Sequence, residues 1–476
     1  MEHKQTKLSA IIAAHHHLAL TEQCIRLLRE ALAEISHEII VVDDGSADGT
    51  YERIRTKGDI QLIRNVKQLG VAAAWNQGKK AAEGDVLLFL HNDILLTKQA
   101  LQTMMEALFS KSDIGAVGPL TNACYYGIQQ GIQVQGNVRD IASVRRMVHQ
   151  VEQMGFRPEP LFFLEGFCLL MRGEAADAVG EFDEQFFPVG FEDADYALRL
   201  RRAGYSLFRV GTYVHNCGGS YLDDGASWSD TWERNQALFH KKWGIIPGYS
   251  LMVRLDILKH IDMGKENLSV LDVGCACGTN LMWLKSYHPE ARLCGIELNE
   301  KSASIAQWFG QVEALDVETL EREEWRNSFD YIILADIVEH LKDPWSLLKR
   351  MKGFLKQGGR LIISVPNVCH ISNLQNMLHG NWEYKNTGIL DRTHLRFFTK
   401  KSFAKCLEEA GLSIISTEPN HILADHQRRL LQELSSLDDT DITQEELSAI
   451  QWIFVAEKMI SAQSPTGERS RCARPN

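Results

Sequence analysis

Three things are missing from this sequence, and each absence excludes a class of function. Basic charge is not in excess: 51 Lys and Arg stand against 62 Asp and Glu in 476 residues, a formal net charge of −11, and the one basic run lies near the C-terminus. A nucleic-acid ligand needs a positive footprint, so that class is set aside. No apolar run approaches the roughly 20 residues needed to span a bilayer. Leu8 to Ala14, after Lys4 and Lys7, has the outline of a weak signal peptide, but it is short and runs straight into His15-His16-His17. It reads better as a first strand. Paired cysteine spacing is also absent. The ten cysteines are scattered, and Cys275 and Cys277 have a single residue between them, which is not a zinc-knuckle spacing. Reduced thiols in a cytoplasmic enzyme are expected. What remains is ordinary for globular protein, 45% apolar and 24% charged. The length predicts about three domains, or two large ones.

The first half is organised around Asp85 to Ile94, Asp-Val-Leu-Leu-Phe-Leu-His-Asn-Asp-Ile. Five apolar residues, Val86 to Leu90, are too few for a helix and fit a strand buried on both faces of a parallel sheet. Asn92 and Asp93 stand at its carboxyl end, where open α/β sheets bind ligands. A carboxylate there can hold a hard divalent cation, although an Asn-Asp pair also serves as a simple turn. Upstream, Leu8 to Ala14 is followed by a helix from Thr21 to Ala33 and a buried strand from Glu38 to Val42. That strand runs into Asp43-Asp44-Gly45-Ser46, a turn that can accept hydrogen bonds from a nucleobase or ribose, or cap the next helix. A strand from Ile60 to Ile63 and a small-residue helix from Val71 to Ala82, containing Asn76 and Gly78, complete a doubly wound nucleotide-binding layout.

Downstream, Phe162 to Met171 is apolar around Glu165-Gly166, and Gly190-Phe-Glu-Asp-Ala-Asp-Tyr opens a helix that ends at Gly204. Acids at a helix N-terminus are stabilised by the macrodipole and often only cap it. These blocks, with the Val-Asp-Asp-Gly-Ser turn, Gly70…Asn76…Gly78 and the Leu-His-Asn-Asp tip, resemble family 2 glycosyltransferases of the GT-A fold. The resemblance covers about Leu8 to Gly244. It implies that Asp93 binds a divalent metal, manganese or magnesium, on the diphosphate of a nucleotide-sugar such as a UDP- or dTDP-sugar. It further implies that Asp44, with Asp43, contacts the base, that Asn76 belongs to the cofactor site, and that Asp193 is the general base with Glu192 beside it. His215 falls where many relatives place another metal ligand. Ala13 and His16 depart from the family pattern, which usually has Pro and Asn there.

Trp243-Gly-Ile-Ile-Pro-Gly248 closes this half with turn residues, and Tyr249 to Lys265 reads as an amphipathic connecting helix. A second α/β pattern begins at Leu268. Ser269 to Thr279 is a strand and a small-residue turn, in which Gly274, Ala276 and Gly278 let the backbone approach a nucleoside. Glu297 ends the next strand, Arg292 to Ile296, where an acid can hold ribose hydroxyls. Asp316 follows a third short strand. Phe329 to Leu334 leads to Asp336, Glu339 and His340, and the helix Pro344 to Leu355 precedes a strand from Leu361 to Val365. A Gly-rich turn alone suits a dinucleotide equally well. The whole order, from Asn267 to Ser416, resembles class I methyltransferases that use S-adenosylmethionine, and Leu390 to Thr399 resembles a segment of small-molecule O-methyltransferases. The resemblance implies that Asp272, Gly274 and Gly278 line the methionine side, Glu297 the ribose and Asp316 the adenine. Ala276 replaces the usual middle Gly. His340 and His394 are candidate bases, or histidines bonded to backbone.

The expected architecture is therefore α/β, two Rossmann-like domains in series: a glycosyltransferase domain at 1–245, a connector at 246–266, a methyltransferase domain at 267–418, and a helical extension with a disordered tail at 419–476. Helices are expected from Asp425 to Leu434 and from Gln444 to Lys458, and disorder from Ser461 to Asn476. The expected function is bifunctional: metal-dependent, inverting sugar transfer to a glycan or lipid-linked glycan, and O-methylation of the same or a related glycan. A lipid-linked acceptor would bring peripheral membrane contact. Two rivals differ in class. An inactive transferase domain delivering a methyltransferase to a glycan would not hydrolyse nucleotide-sugar, and an NAD-linked oxidoreductase would need a hydride-transfer constellation that the sequence lacks.

Overall fold

The computed structural model describes residues 6–125, 128–130, 140–219, 221–222, 227–246, 251–421, 427–435 and 442–458. Spatial proximity divides the described chain into two compact units. The first lies within Met1–Arg254, Ala276–Pro289 and Asn299–Gly310, and the second within Leu255–Cys275, Glu290–Leu298 and Gln311–Asn476.

The first sheet is built from β1 (Leu8–Ala14), β2 (His37–Asp44), β3 (Ile60–Asn65) and β4 (Val86–His91). A two-residue strand, β5 (Ile94–Leu95), follows, then β6 (Ile114–Leu120), β7 (Glu159–Pro160), β8 (Cys168–Arg172) and β9 (Ser206–Tyr213). The eight-stranded order is β3-β2-β1-β4-β8-β6-β9-β7. Pairing is parallel from β3 to β4, and β8 runs antiparallel to β4 and β6. The sheet is thus mixed, where the apolar run at Val86 predicts parallel neighbours. Alternation along β1 divides its side chains between the two faces. Leu8, Ala10, Ile12 and Ala14 join one core cluster with Ile25 and Leu28 of the helix Leu18–Leu32 and Met104 of the helix Lys98–Phe109. On the other face Ile11 meets the helix Val71–Ala81 so closely that a Cβ at Gly78 would stand 2.2 Å from Ile11 Cγ2. Packing of helix on sheet is why a glycine occupies position 78. Beyond β4, β5 forms an antiparallel ribbon with β10 (His215–Asn216).

The second sheet takes β11 (Ser269–Val273), β12 (Arg292–Glu297), β13 (Gln311–Ala314), β14 (Phe329–Ala335), β15 (Leu355–Pro366), β16 (Leu412–His421) and β17 (Ala449–Lys458) in the order β13-β12-β11-β14-β15-β17-β16. Five strands are parallel, and β17 inserts antiparallel between β15 and β16. These are the GT-A and class I methyltransferase architectures in series, as the sequence predicts.

Two predicted helices are corrected. Between Gln444 and Lys458 only Gln444–Ser448 is helical, and Ala449–Lys458 is a strand. Its run Trp452-Ile-Phe-Val-Ala456 is buried, and β-branched and aromatic residues favour the pleated slot that β15 and β16 leave between them. Between Tyr249 and Lys265, residues 249–250 lie outside the described chain, and the α-helix is only Leu255–Leu258. Met252 O and Arg254 N instead bond to the side chains of Thr279 and Asn280, so this backbone is satisfied without helical pairing. Near the predicted helix Asp425 to Leu434, Arg428–Ser435 is helical and Asp425 lies outside the described residues, as does the tail Ser461 to Asn476. Among the described residues no helix is long and apolar enough to cross a membrane.

Two candidate active sites

In the first unit the carboxyl ends of β1, β2 and β4 gather the predicted residues. Asn92 and Asp93 leave β4 at its tip and are both buried. Asn92 donates its amide to His16 O (2.9 Å) and Thr21 Oγ1 (2.8 Å), which ties the β4 tip to the loop after β1. Asp93 Oδ2 accepts the Gly219 N–H at 2.7 Å, and Cys217 N donates to Asp93 O at 3.0 Å. Its other oxygen, Oδ1, is buried with no hydrogen-bond partner. Burial pushes the Asp93 carboxyl up to about 6, with the Gly219 N–H opposing. A hard cation is the chemistry that such an oxygen fits. The neighbouring His91 is pushed down to about 4 by burial, which holds it neutral. His215 sits on β10, beside the strand that follows Asp93, and its Nδ1 lies 2.8 Å from Tyr213 Oη.

The two acids at the end of β2 divide their work. Asp44 accepts four hydrogen bonds, from Asn65 Nδ2, Leu69 N and Gly70 N at 2.8 Å each and from Tyr221 Oη at 3.1 Å. Its acceptor capacity is used within the protein, and it fixes the loop that leads into the helix Val71–Ala81. Asp43 is as deeply buried, with no well-oriented donor on either oxygen and Arg64 Nε at 3.9 Å. Burial raises its carboxyl, with Ser46 and Arg64 partly offsetting. Of the two, Asp43 has acceptor atoms to spare for a ligand. Asn76 directs its amide to the 182–184 segment: Nδ2 donates to Phe182 O and Glu184 Oε1 at 2.9 Å, and Oδ1 accepts Phe182 N at 2.7 Å.

Tyr221 is a residue that the sequence reading missed. Its ring lies 5.5 Å from that of His15 and 6.1 Å from that of His91. Burial, followed by the charge of Asp44 with lesser help from Glu192 and Asp43, pushes its phenol well above the usual range. An aromatic within Gly218-Gly-Ser-Tyr221, just after His215, was the available signal.

Glu192 and Asp193 open the helix Glu192–Arg202 after Phe191, whose φ of 78° turns the chain into it. Asp193 Oδ2 accepts Gly166 N at 2.9 Å and Oδ1 accepts Ala194 N at 2.7 Å, so the carboxylate is aimed and each oxygen keeps a lone pair. Burial raises both acids, and the Asp193 charge raises Glu192 further. Glu192 Oε2 is buried without a partner. Asp195, by contrast, is committed to Arg199, Trp243 and Lys242. Beside Glu165-Gly166, Tyr125 N donates to Glu165 Oε2, and the Tyr125 ring stacks on Trp232 with centroids 3.7 Å apart.

In the second unit, Asp272 is buried near the end of β11 and Gly274 follows the strand. Gly274, Ala276 and Gly278 all take positive φ, at 70°, 47° and 76°. A Cβ at 274 would lie 2.0 Å from Ile337 Cδ1, so the turn and the segment after β14 need glycine there. Gly274 N and Cys275 N both donate to Ile296 O, at 2.7 and 3.1 Å, which sets Glu297 beside the turn at the carboxyl end of β12. Bare backbone flanked by a half-buried carboxylate suits a nucleoside with ribose hydroxyls. Asp316 is exposed and accepts Glu318 N at 2.9 Å, capping the turn Val317–Thr319. His340 and His394 come together with ring centroids 4.7 Å apart.

Comparison with known proteins matches the two halves of the chain to two different families. Residues 9–180 match the family model for glycosyl transferase family 2, and residues 253–417 match a methyltransferase domain. A dolichol-phosphate mannosyltransferase from Pyrococcus furiosus is 32% identical over 115 residues, 24% of this chain and 32% of that protein. A ubiquinone biosynthesis O-methyltransferase from Idiomarina loihiensis is 26% identical over 179 residues, 34% of this chain and 69% of that protein. Among solved structures, a mannosyltransferase from Pyrobaculum calidifontis in complex with GDP-Man and Mn2+ is 18% identical, with a TM-score of 0.34, covering 46% of this chain and 59% of that one. The chain thus spans about a third of the length of the first relative and about two thirds of the second. It is similar to glycosyltransferases in its first half and to methyltransferases in its second.

Proposed function

We propose that this chain carries two transferases: a metal-dependent, inverting glycosyltransferase in the first unit and an S-adenosylmethionine-dependent O-methyltransferase in the second, acting on the same or a related glycan in the cytoplasm. The observation that carries the first activity is the buried Oδ1 of Asp93, without a partner at the carboxyl end of the sheet. A divalent cation held there, manganese or magnesium, would offset the charge that grows on a leaving diphosphate. Asp43 is the acid with acceptors left for the base or ribose of a UDP- or dTDP-sugar, and Asp44 holds the loop around it. Asp193, aimed by two backbone N–H groups, takes the proton from the acceptor hydroxyl as the sugar arrives. Glu192 sits beside it in the first turn of the same helix. The stacked Tyr125 and Trp232 rings give a flat apolar face for an acceptor sugar.

For the second activity, the Gly274–Gly278 turn and Glu297 would hold the S-adenosylmethionine nucleoside and methionine, with Asp272 on the methionine side. The chain's contribution is chiefly alignment of acceptor oxygen and methyl group, which can supply much of the rate. Incubation of the full chain with UDP- and dTDP-sugars, manganese and oligosaccharide acceptors, followed by S-adenosylmethionine carrying a labelled methyl group, tests both. The expected result is a nucleoside diphosphate released in step with a longer glycan, and label on that glycan. Label incorporation without any nucleotide-sugar turnover would instead make the first unit a glycan-binding module.

A further inference from the structure

The groups gathered around His340 have a use beyond that of a lone base. Glu339, His340 and His394 each offer a ligand atom, and these atoms all lie within 4.8 Å of one another; among the described residues no other group of three or more His, Cys, Asp or Glu does this. Glu339 and His340 end the short turn Val338–His340 that follows β14, and His394 arrives from a loop more than fifty residues later. Backbone holds the two together: Leu395 N and Arg396 N both donate to Glu339 O, at 2.8 and 3.0 Å. His394 is oriented for ligation. Its Nδ1 is 2.9 Å from Ile389 O, and a carbonyl oxygen has no proton to give, so Nδ1 carries the hydrogen. That leaves the Nε2 lone pair for a metal, since metal-bound histidines ordinarily donate their other ring N–H to an oxygen. Glu339 is 1% exposed, so its carboxyl group is buried next to two imidazoles.

We propose that Glu339, His340 and His394 form a second metal site, distinct from that of Asp93, which takes a divalent first-row transition ion such as Zn2+, Co2+, Fe2+ or Mn2+. One carboxylate and two imidazoles make the ligand set of open catalytic centres, which leave positions for water or substrate. The segment that carries Glu339 passes the Gly274 turn, because Ile337, two residues before Glu339, is the side chain that a Cβ at 274 would strike. Trp382 and Tyr384, both exposed, lie 5.7 and 6.3 Å from the Phe397 ring, which is itself 6.5 Å from His394. Open metal positions beside aromatic faces suit a vicinal diol on a sugar ring. This assignment of the diol rests on the methyl-transfer reading, whereas the ion itself rests only on the three side chains.

The test uses the full chain carrying Asp93→Ala, stripped of metal and titrated with Co2+, whose visible absorption reports nitrogen and oxygen ligation. The expected result is close to one tight equivalent per chain, with affinity falling by about 100-fold or more in His394→Gln and again in Glu339→Gln. Thermal midpoints measured on the same samples identify a variant that fails to fold, and the half-buried, loop-borne His394 is the position that tolerates change. Unchanged cobalt affinity in a folded His394→Gln, or no tight site in Asp93→Ala, overturns the proposal. Calorimetry with S-adenosylmethionine on those samples separates the two readings. Nucleoside binding without cobalt removes the metal site alone, whereas cobalt without nucleoside binding leaves the site standing and removes the methyltransferase reading.

Discussion

At the scale of single residues, Asp193 and Glu192 carry the sharpest consequence. Asp193→Asn keeps size and most hydrogen bonding but removes the basic oxygen, so nucleotide-sugar affinity should stay near wild type while sugar transfer falls by about 10² or more. Near-wild-type turnover would move the role to Glu192. Both acids are raised by burial, so the base becomes available only above the ordinary carboxylate range of about 4. The acid limb of kcat/KM for sugar transfer should therefore lie above that range, and a limb near pH 4 would contradict the assignment. Stability has the opposite sign. A carboxyl raised in the folded state holds its proton more tightly than in the unfolded chain, so stability is lost as pH rises from about 4 through the folded value. Ala276, in the Gly274–Gly278 turn, offers another test. A left-handed φ costs a residue with a Cβ about 1–2 kcal/mol, and glycine gives part of that back as unfolded-chain entropy. Ala276→Gly should raise the thermal midpoint by about 2–4 °C for a net gain near 1 kcal/mol. An unchanged or lower midpoint would mean that the turn relies on the methyl group.

At the scale of elements, most strands were legible because each is a short apolar run closed by acids or glycine, as in Val86 to Asp93 and Ser269 to Gly274. The acids at their tips were legible as strand ends but not in their roles, since Asp44 takes four hydrogen bonds within the protein and Asp316 caps a turn. What could not be read depends on distant partners. Asp44 and Tyr221 are 177 residues apart in sequence and bonded in the fold, and nothing local to either discloses it. The same holds for Ala449–Lys458, whose apolar residues fit a helix or a strand until β15 and β16 are in place on either side. That strand gives an element-scale prediction. Trp452, Ile453, Phe454 and Val455 are all buried, each contributing about 1.5–3 kcal/mol against a net domain stability of roughly 5–15 kcal/mol. A chain ending at Ser448 should lose S-adenosylmethionine binding and cooperative unfolding of the second unit, whereas one ending at Lys458 should keep both. Binding that survives the shorter truncation would show the strand to be dispensable.

At the scale of the whole molecule, each sheet gathers its own polar groups at the carboxyl ends of its own strands. Asp93, Asp43 and Asp193 belong to the first unit, and Glu297, Gly274 and the Glu339 trio to the second. The account's central claim is that these are two separate binding sites for two different nucleoside-bearing donors. Calorimetry on the full chain tests it most directly, with UDP- and dTDP-sugars plus manganese in one titration and S-adenosylmethionine in the other, for wild type, Asp93→Ala and Glu297→Ala. Asp93→Ala should abolish manganese-dependent nucleotide-sugar binding and leave S-adenosylmethionine affinity unchanged. Glu297→Ala should do the reverse, weakening S-adenosylmethionine by about 1–3 kcal/mol, roughly 5- to 150-fold, for a lost charged hydrogen bond. If Asp93→Ala weakens S-adenosylmethionine binding as much as Glu297→Ala does, the claim of two separate sites is contradicted.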